Sequence, residues 1–170
     1  MANEKIELLM QKARAAQAKV ANYTQEQADD MVRVVAKKCW EERERIAQLC
    51  VDDTGKGTYA FKLAKMENTT SSVYLYLKGR KSVGLIEHDE KKKLWKYAKP
   101  VGVLACICPV TNPAATPIGN GLNVLKTRNA MIVCPHPGAR VATGETVEVM
   151  RAALREAGHP EDLVQVVPDS

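Results

Sequence analysis

Ile6, Leu9, Ala13 and Val20 share one face of a helix drawn over residues 4–21. Asn22 and Tyr23 break that pattern. Thr24-Gln25-Glu26-Gln27 then has the form of a capping box, with Asp29 and Asp30 suited to the first turn's dipole. Ala28, Met31, Val32, Val35 and Cys39 line the face of this second helix. A third stretch carries Ile46, Leu49 and Cys50 and stops at Gly55 and Gly57. Helical spacing resumes from Thr58 to about Lys78, weakened by Thr69, Thr70, Ser71 and Ser72. The pattern then changes. Ser82–Glu87 and Leu94–Ala98 read as strands of a hairpin around the polar turn 88–92. Three short apolar runs follow: Val101–Ile107, Ala130–Cys134 and Leu163–Val167. Ile118, Leu122 and Leu125 mark a helix between the first two. Val147, Met150, Leu154 and Ala157 mark another, closed by Gly158 with Pro160 following. The order β-α-β-α-β, with little alternation inside the strands, predicts a Rossmann-like parallel sheet covered by helices on both faces. The predicted fold class is therefore α/β: N-terminal helices, a β-hairpin, and a partial parallel sheet. Strand carboxyl ends and the loops after them share one edge, where open α/β sheets take ligands.

The 170 residues are 45% apolar and 26% charged, so the chain has a core to bury and is not a disordered tail. No apolar run is long enough to span a membrane, and MANEKIELLMQKAR lacks the form of a secretory signal, so a cytoplasmic location and no membrane partner are expected. The net charge of +5 is modest, and its densest cluster, Lys91, Lys92, Lys93, Lys96 and Lys99, falls on the hairpin. With aromatics at only 5%, no nucleic-acid partner is expected. Cys39, Cys50, Cys106, Cys108 and Cys134 lie mostly within apolar runs and read as reduced core thiols. The Cys106-x-Cys108 pair has no companion at metal-ligand spacing, so no metal site is expected. His88 and His159 read as surface residues.

The candidate chemistry sits in the two loops after the first two parallel strands. The first is Cys108-Pro109-Val110-Thr111-Asn112-Pro113. Thr111 and Asn112 there serve equally well as donors to an anionic or oxyanionic group, or as an ordinary helix cap ahead of Pro113. The second is Cys134-Pro135-His136-Pro137-Gly138, a stiff platform on which His136 has a positional or ligand-contacting role. No G-x-G-x-x-G or Walker motif follows any strand. Gly119 and Gly121 lie inside a helix and read as sites of close packing.

The segment KPVGVLACICPVTNPAATPIGNGLNVLKTRNAMIVCPHPGARVAT resembles the aldehyde dehydrogenase superfamily. Its K-P-x-G-V opening, P-x-T-N-P, L-K-T-R-N and P-H-P occur in the order of the CoA-acylating branch, which includes acetaldehyde, succinate-semialdehyde and sulfoacetaldehyde dehydrogenases. The likeness extends to the N-terminal helices. It implies conversion of a short aldehyde, CoA and NAD(P)+ to acyl-CoA and NAD(P)H through a cysteine thioester. NAD or NADP would be the cofactor, CoA the co-substrate, and the protein a homo-oligomer. Carried over by residue, Pro109 and Val110 line the nicotinamide side, and Cys134, Pro135, His136 and Pro137 match the segment beside the adenosine ribose. Asn112 and Thr111 occupy the catalytic oxyanion position: gapless alignment puts the donor on Thr111, while the amide chemistry favours Asn112. The lysine and glutamate of non-acylating relatives are missing at Cys134 and Pro137. The resemblance divides the chain into a helical segment 1–81, an oligomerisation hairpin 82–99, and the first half of the NAD(P)/CoA-binding domain 100–170. The catalytic domain and its cysteine lie beyond, so the chain alone is expected to be inactive. Rival readings are a fragment of a non-acylating aldehyde dehydrogenase and a non-catalytic nucleotide-binding or interaction module.

Overall fold

The structure is a computed structural model that describes residues 2–168. Four helices open the chain: α1 (Ala2–Val20), α2 (Gln25–Glu41), α3 (Arg43–Thr54) and α4 (Tyr59–Leu77). The capping box forms as the sequence predicts. Gln27 N–H donates to Thr24 Oγ1 at 3.3 Å, and Thr24 N–H donates to Gln27 Oε1 at 2.9 Å. Gly55, at φ +61°, ends α3 in the left-handed region that favours glycine. The hydroxyl-rich stretch does not interrupt α4, because its hydroxyls bond back along the helix. Ser71 Oγ donates to the Glu67 carbonyl at 2.6 Å, and Ser72 Oγ to Asn68 Oδ1 at 2.7 Å.

The hairpin is β1 (Gly84–Asp89) and β2 (Leu94–Ala98), paired antiparallel with a bulge between Leu85 and Glu87. His88 belongs to β1 rather than to the turn, and stacks on Trp95 across the strands at 4.6 Å. Both hairpin faces are largely exposed, and the two strands form a sheet of their own.

The second half is β3 (Val103–Ile107), α5 (Ala115–Lys126), β4 (Ala130–Cys134), α6 (Arg140–Glu156) and β5 (Val164–Val166). The three strands are parallel in the order β3-β4-β5. Helices α5 and α6 cover one face, and α2, α3 and α4 pack outside them; α1 lies against the other face. The centre of the sheet is buried, but Ile107, at the carboxyl end of β3, is 82% exposed. One hydrophobic cluster runs from Ala13 and Val35 through Ile118 and Met131 to Val164, joining the N-terminal helices to the sheet. Gly121 is where α5 crosses closest. A methyl group there would collide with Met150 Cε and stand 3.3 Å from Met131 Cε, so its role is packing.

The turn Lys126–Asn129 ties these layers together. The buried Lys126 pairs with Asp29 of α2. Arg128, at φ +59°, donates from Nη1 to the Ala21 carbonyl at 2.7 Å and from Nη2 to the Ala98 carbonyl at 3.3 Å. Asn129 Oδ1 accepts the N–H groups of Val101 and Gly102 at 2.6 and 2.8 Å, fixing the approach to β3. His159 is a correction to the sequence reading. Its side chain is only 10% exposed, with Nε2 3.0 Å from Asp30 Oδ2 and its ring beside Tyr23. The turn after α6 folds back onto α2, and a residue that looks terminal and polar becomes a bridge between helices.

Candidate active-site edge

Parallel pairing of β3 with β4 brings the two candidate loops side by side. Cys108 N–H donates to the Cys134 carbonyl at 3.0 Å, one step past the last strand pair, so the loop roots are bonded directly. Farther out, a methyl group on Gly138 would lie 3.8 Å from Val110 Cγ2, so the loops stay close beyond their roots.

The first loop is held by α4. Asn112 N–H donates to the Pro109 carbonyl at 3.3 Å, making the turn, and Thr116 N–H donates to the Asn112 carbonyl at 3.3 Å, leading into α5. Neither Thr111 nor Asn112 caps α5 with its side chain; the residue at the cap is Ala114. Two lysines one helical turn apart take hold of the loop instead. Lys62 Nζ donates to the Thr111 carbonyl at 2.9 Å, and Lys65 Nζ donates to Asn112 Oδ1 at 2.8 Å. An ammonium has donors only, so the Asn112 atom facing Lys65 must be the oxygen, and the amide NH2 faces away from it. Thr111 is exposed, and Asn112 is half-buried.

The second loop is held from within and from α3. His136 Nδ1 accepts Gly138 N–H at 3.0 Å, which fixes Nδ1 as the unprotonated nitrogen of the neutral ring and leaves the proton on Nε2. Pro135 is buried, while His136 and Pro137 are exposed at the rim. Ala142 N–H, in the first turn of α6, donates to Asp53 Oδ2 at 2.8 Å. A carboxylate therefore already stands at the α6 amino end, where parallel α/β folds often hold a phosphate.

The five cysteines are free thiols, and four are buried. Burial pushes Cys39 up to about 12 and Cys50 up to about 11. Cys134, half-buried, is also raised by desolvation. Cys106 goes the other way: the neighbouring Cys108 thiol and the Asn120 amide both hydrogen-bond to its sulfur and favour the thiolate. It is only 4% exposed, so no described cysteine combines exposure with a lowered pKa, as a nucleophile toward an organic substrate requires.

Seven of the eight residues singled out from the sequence lie in these two bonded loops, and the eighth, Cys134, ends β4 at the same edge. Sequence reasoning missed Lys62, Lys65 and Asp53, which set the loop conformations. Lys62 does leave a signal. With Met66 and Thr70 it forms an i, i+4, i+8 stripe that is buried in the structure, and a lysine on a helix's core face needs a partner. Lys65 and Asp53 leave none.

The whole of residues 1–170 matches the family model described as the aldehyde dehydrogenase family. The chain is 44% identical over 162 residues to a sulfoacetaldehyde dehydrogenase of an Acholeplasma species, covering 94% of this chain and 34% of that protein. It is 39% identical over 168 residues to an acetylating succinate-semialdehyde dehydrogenase of Clostridium kluyveri, covering 98% of this chain and 37% of that protein. An acetylating aldehyde dehydrogenase from Geobacillus thermoglucosidasius superposes with a TM-score of 0.95 at 34% identity, over 99% of this chain and 37% of that one. The chain thus spans about a third of the length of the relatives it matches.

Proposed function

The chain belongs to the aldehyde dehydrogenase family, and we propose that it supplies the N-terminal third of a CoA-acylating member, which converts a short aldehyde, CoA and NAD(P)+ to acyl-CoA and NAD(P)H. The likeness to acylating relatives supports the branch, and the orientation of Asn112 is the observation that supports the chemistry at this edge. Its oxygen is engaged by Lys65, so its amide hydrogens are left for a partner at the ligand edge. A donor fixed in advance beside a strand carboxyl end suits an oxyanion that develops during attack on an aldehyde carbonyl. Thr111 is held through its backbone carbonyl, so the lock acts on its main chain and not on a side-chain donor. Asn112 is therefore the donor and Thr111 its support.

A dinucleotide fits this edge in a restricted way. Val110 and Pro109 offer a stiff, partly apolar wall on the first loop, and Pro135, His136 and Pro137 form the rim of the second. Asp53 at the α6 amino end disfavours a diphosphate there by charge and by occupancy, so the cofactor is held by its ends. When bound, NAD(P)+ accepts the hydride of the aldehyde. His136 presents Nε2–H outward as a donor for a ribose or adenine acceptor. The attacking cysteine and the aldehyde pocket belong to the longer protein. Its location is cytoplasmic, and its assembly is a homo-oligomer built on β1 and β2, whose exposed edges are open to pairing.

The test uses the longer protein, with acetaldehyde, succinate semialdehyde and sulfoacetaldehyde offered in turn. Steady NAD(P)H formation is expected only when CoA is present, with acyl-CoA as product. Equal steady rates without CoA, giving free acid, would move the chain to the non-acylating branch. The 170-residue chain alone is expected to give no turnover.

A further inference from the structure

Cys106 and Cys108 are an unusual pair for a strand end. They are two residues apart and so project to the same side of β3, where their sulfurs stand 3.8 Å apart. Two strand steps span roughly 6.6 Å between Cα atoms, at the upper end of the roughly 4.4–6.8 Å that a disulfide bridges. Cys108 lies one residue past the end of β3, where its N–H bond to the Cys134 carbonyl ties the backbone to β4. Asn120 of α5 is exposed and donates from Nδ2 to Cys106 Sγ at 3.2 Å, so an amide marks the way to the buried thiol. Cys134 is not a third member of the set. It pairs in register with Ile107 and so projects to the opposite face.

We propose that Cys106 and Cys108 form a dithiol that hydrogen peroxide closes to a disulfide, displacing the root of the first loop. The Cys106 thiolate attacks one peroxide oxygen, the O–O bond breaks, and the departing hydroxide leaves as water after taking a proton, giving a sulfenic acid. The Cys108 thiol then attacks that sulfur and expels a second water. The two thiols are oxidised by two electrons, and one peroxide is reduced to two waters. The hydrogen bonds to Cys106 favour the thiolate that the first step needs. With Cys106 at 4% and Cys108 at 2% exposure, the sulfurs are screened from an oxidant as large as a glutathione disulfide, so the oxidant is one as small as peroxide. Closure must bring the sulfurs from 3.8 Å to about 2.05 Å. Cys108, one residue outside the strand, is the residue that moves, at the expense of its N–H bond to Cys134, which joins the two loops.

The test treats the reduced 170-residue chain with hydrogen peroxide, alkylates it in denaturant, and maps the tryptic peptides. Peptide 97–126 holds Cys106 and Cys108 and no other cysteine. It is expected to lose two hydrogens, to resist alkylation, and to recover both thiols on reduction. Cys108→Ser should stop at a sulfenic acid on Cys106 that dimedone traps. Cys134→Ser should close as fast as the parent. Asn120→Ala should move the pH midpoint of the reaction upward, which a purely structural role for Asn120 does not produce. Hydrogen exchange at the Cys108 amide should quicken at least tenfold on oxidation. Full alkylation of both thiols after peroxide, or a cross-link from peptide 97–126 to the peptide bearing Cys134, would overturn the pairing. An unchanged Cys108 exchange rate in the oxidised chain would overturn the displacement.

Discussion

The loop after β3 and the loop after β4 leave neighbouring parallel strands, both begin Cys-Pro, and both lead into a helix, yet they are held by different means. The first depends on Lys62 and Lys65, 49 and 47 residues earlier in the chain. The second makes its own turn through His136, two residues from its partner Gly138, and takes one distant contact, Asp53, at the start of α6. The difference is one of cooperativity. The second loop sets its turn with a side chain of its own, whereas the first, although Asn112 N–H closes its turn, takes the orientation of the Asn112 side chain from α4. The N-terminal helices are therefore part of the site and not merely a scaffold beside it.

Separate substitutions should break the two loops separately. Asp53→Ala removes the carboxylate from the α6 amino end and should have the largest effect on stability, about 1–2 kcal/mol. At roughly 2–4 °C per kcal/mol for a chain of this size, calorimetry will resolve it. Amide exchange should rise in the first turn of α6 and not at Asn112.

Lys65→Met should do the reverse. Lys65 is exposed, so the melting temperature should hardly move. In the longer protein, kcat should fall about tenfold with KM little changed, because the Asn112 amide is no longer held in one orientation. A fall in melting temperature matching that of Asp53→Ala would mean that Lys65 supports the fold and not the donor. Gly121→Ala lies where α5, which follows the first loop, packs on β4 and α6, which flank the second, and should cost about 1 kcal/mol as Met150 gives way. Both loops should loosen together; loosening of one alone would show that the shared core is not the link.

The smallest effect is a pH slope. Burial holds the Lys62 ammonium below the ordinary lysine range, with Cys50 opposing and Lys65 adding to the shift. A lysine whose folded pKa is lowered binds fewer protons folded than unfolded, so stability rises as pH climbs through the window just below the usual lysine value. Chemical denaturation across that window should show a positive slope that is shallower in Lys62→Met.

Much of this arrangement was legible in the sequence where the cause is local. The capping box at Thr24, the break at Gly55, the β-α-β-α-β order and the position of both loops follow from periodicity and turn residues. The packing role of Gly121 followed from its place inside a helix. The holding contacts did not follow, because nothing near Asn112 announces Lys65, and nothing near Ala142 announces Asp53. The exposure of Ile107 also departs from the pattern: its run reads as fully buried, but α1 covers only part of that face. His159 shows the same limit, since its burial depends on how the turn after α6 meets α2. The L-K-T-R-N motif was visible as a family signature. Its physical role, an ion pair from a buried lysine and a set of backbone bonds that join three layers, required the fold.

Two adjacent residues, Thr111 and Asn112, compete for the role of donor. The direct measurement is kcat and KM of the longer protein, with CoA, for Asn112→Ala and Thr111→Ala side by side. Loss of a fixed oxyanion donor should lower kcat by roughly 10²–10³ and leave KM nearly unchanged. Thr111→Ala, which keeps the carbonyl that Lys62 holds, should stay within a few fold of the parent. The opposite ranking, with Thr111→Ala the more damaging, would contradict the assignment and place the donor one residue earlier.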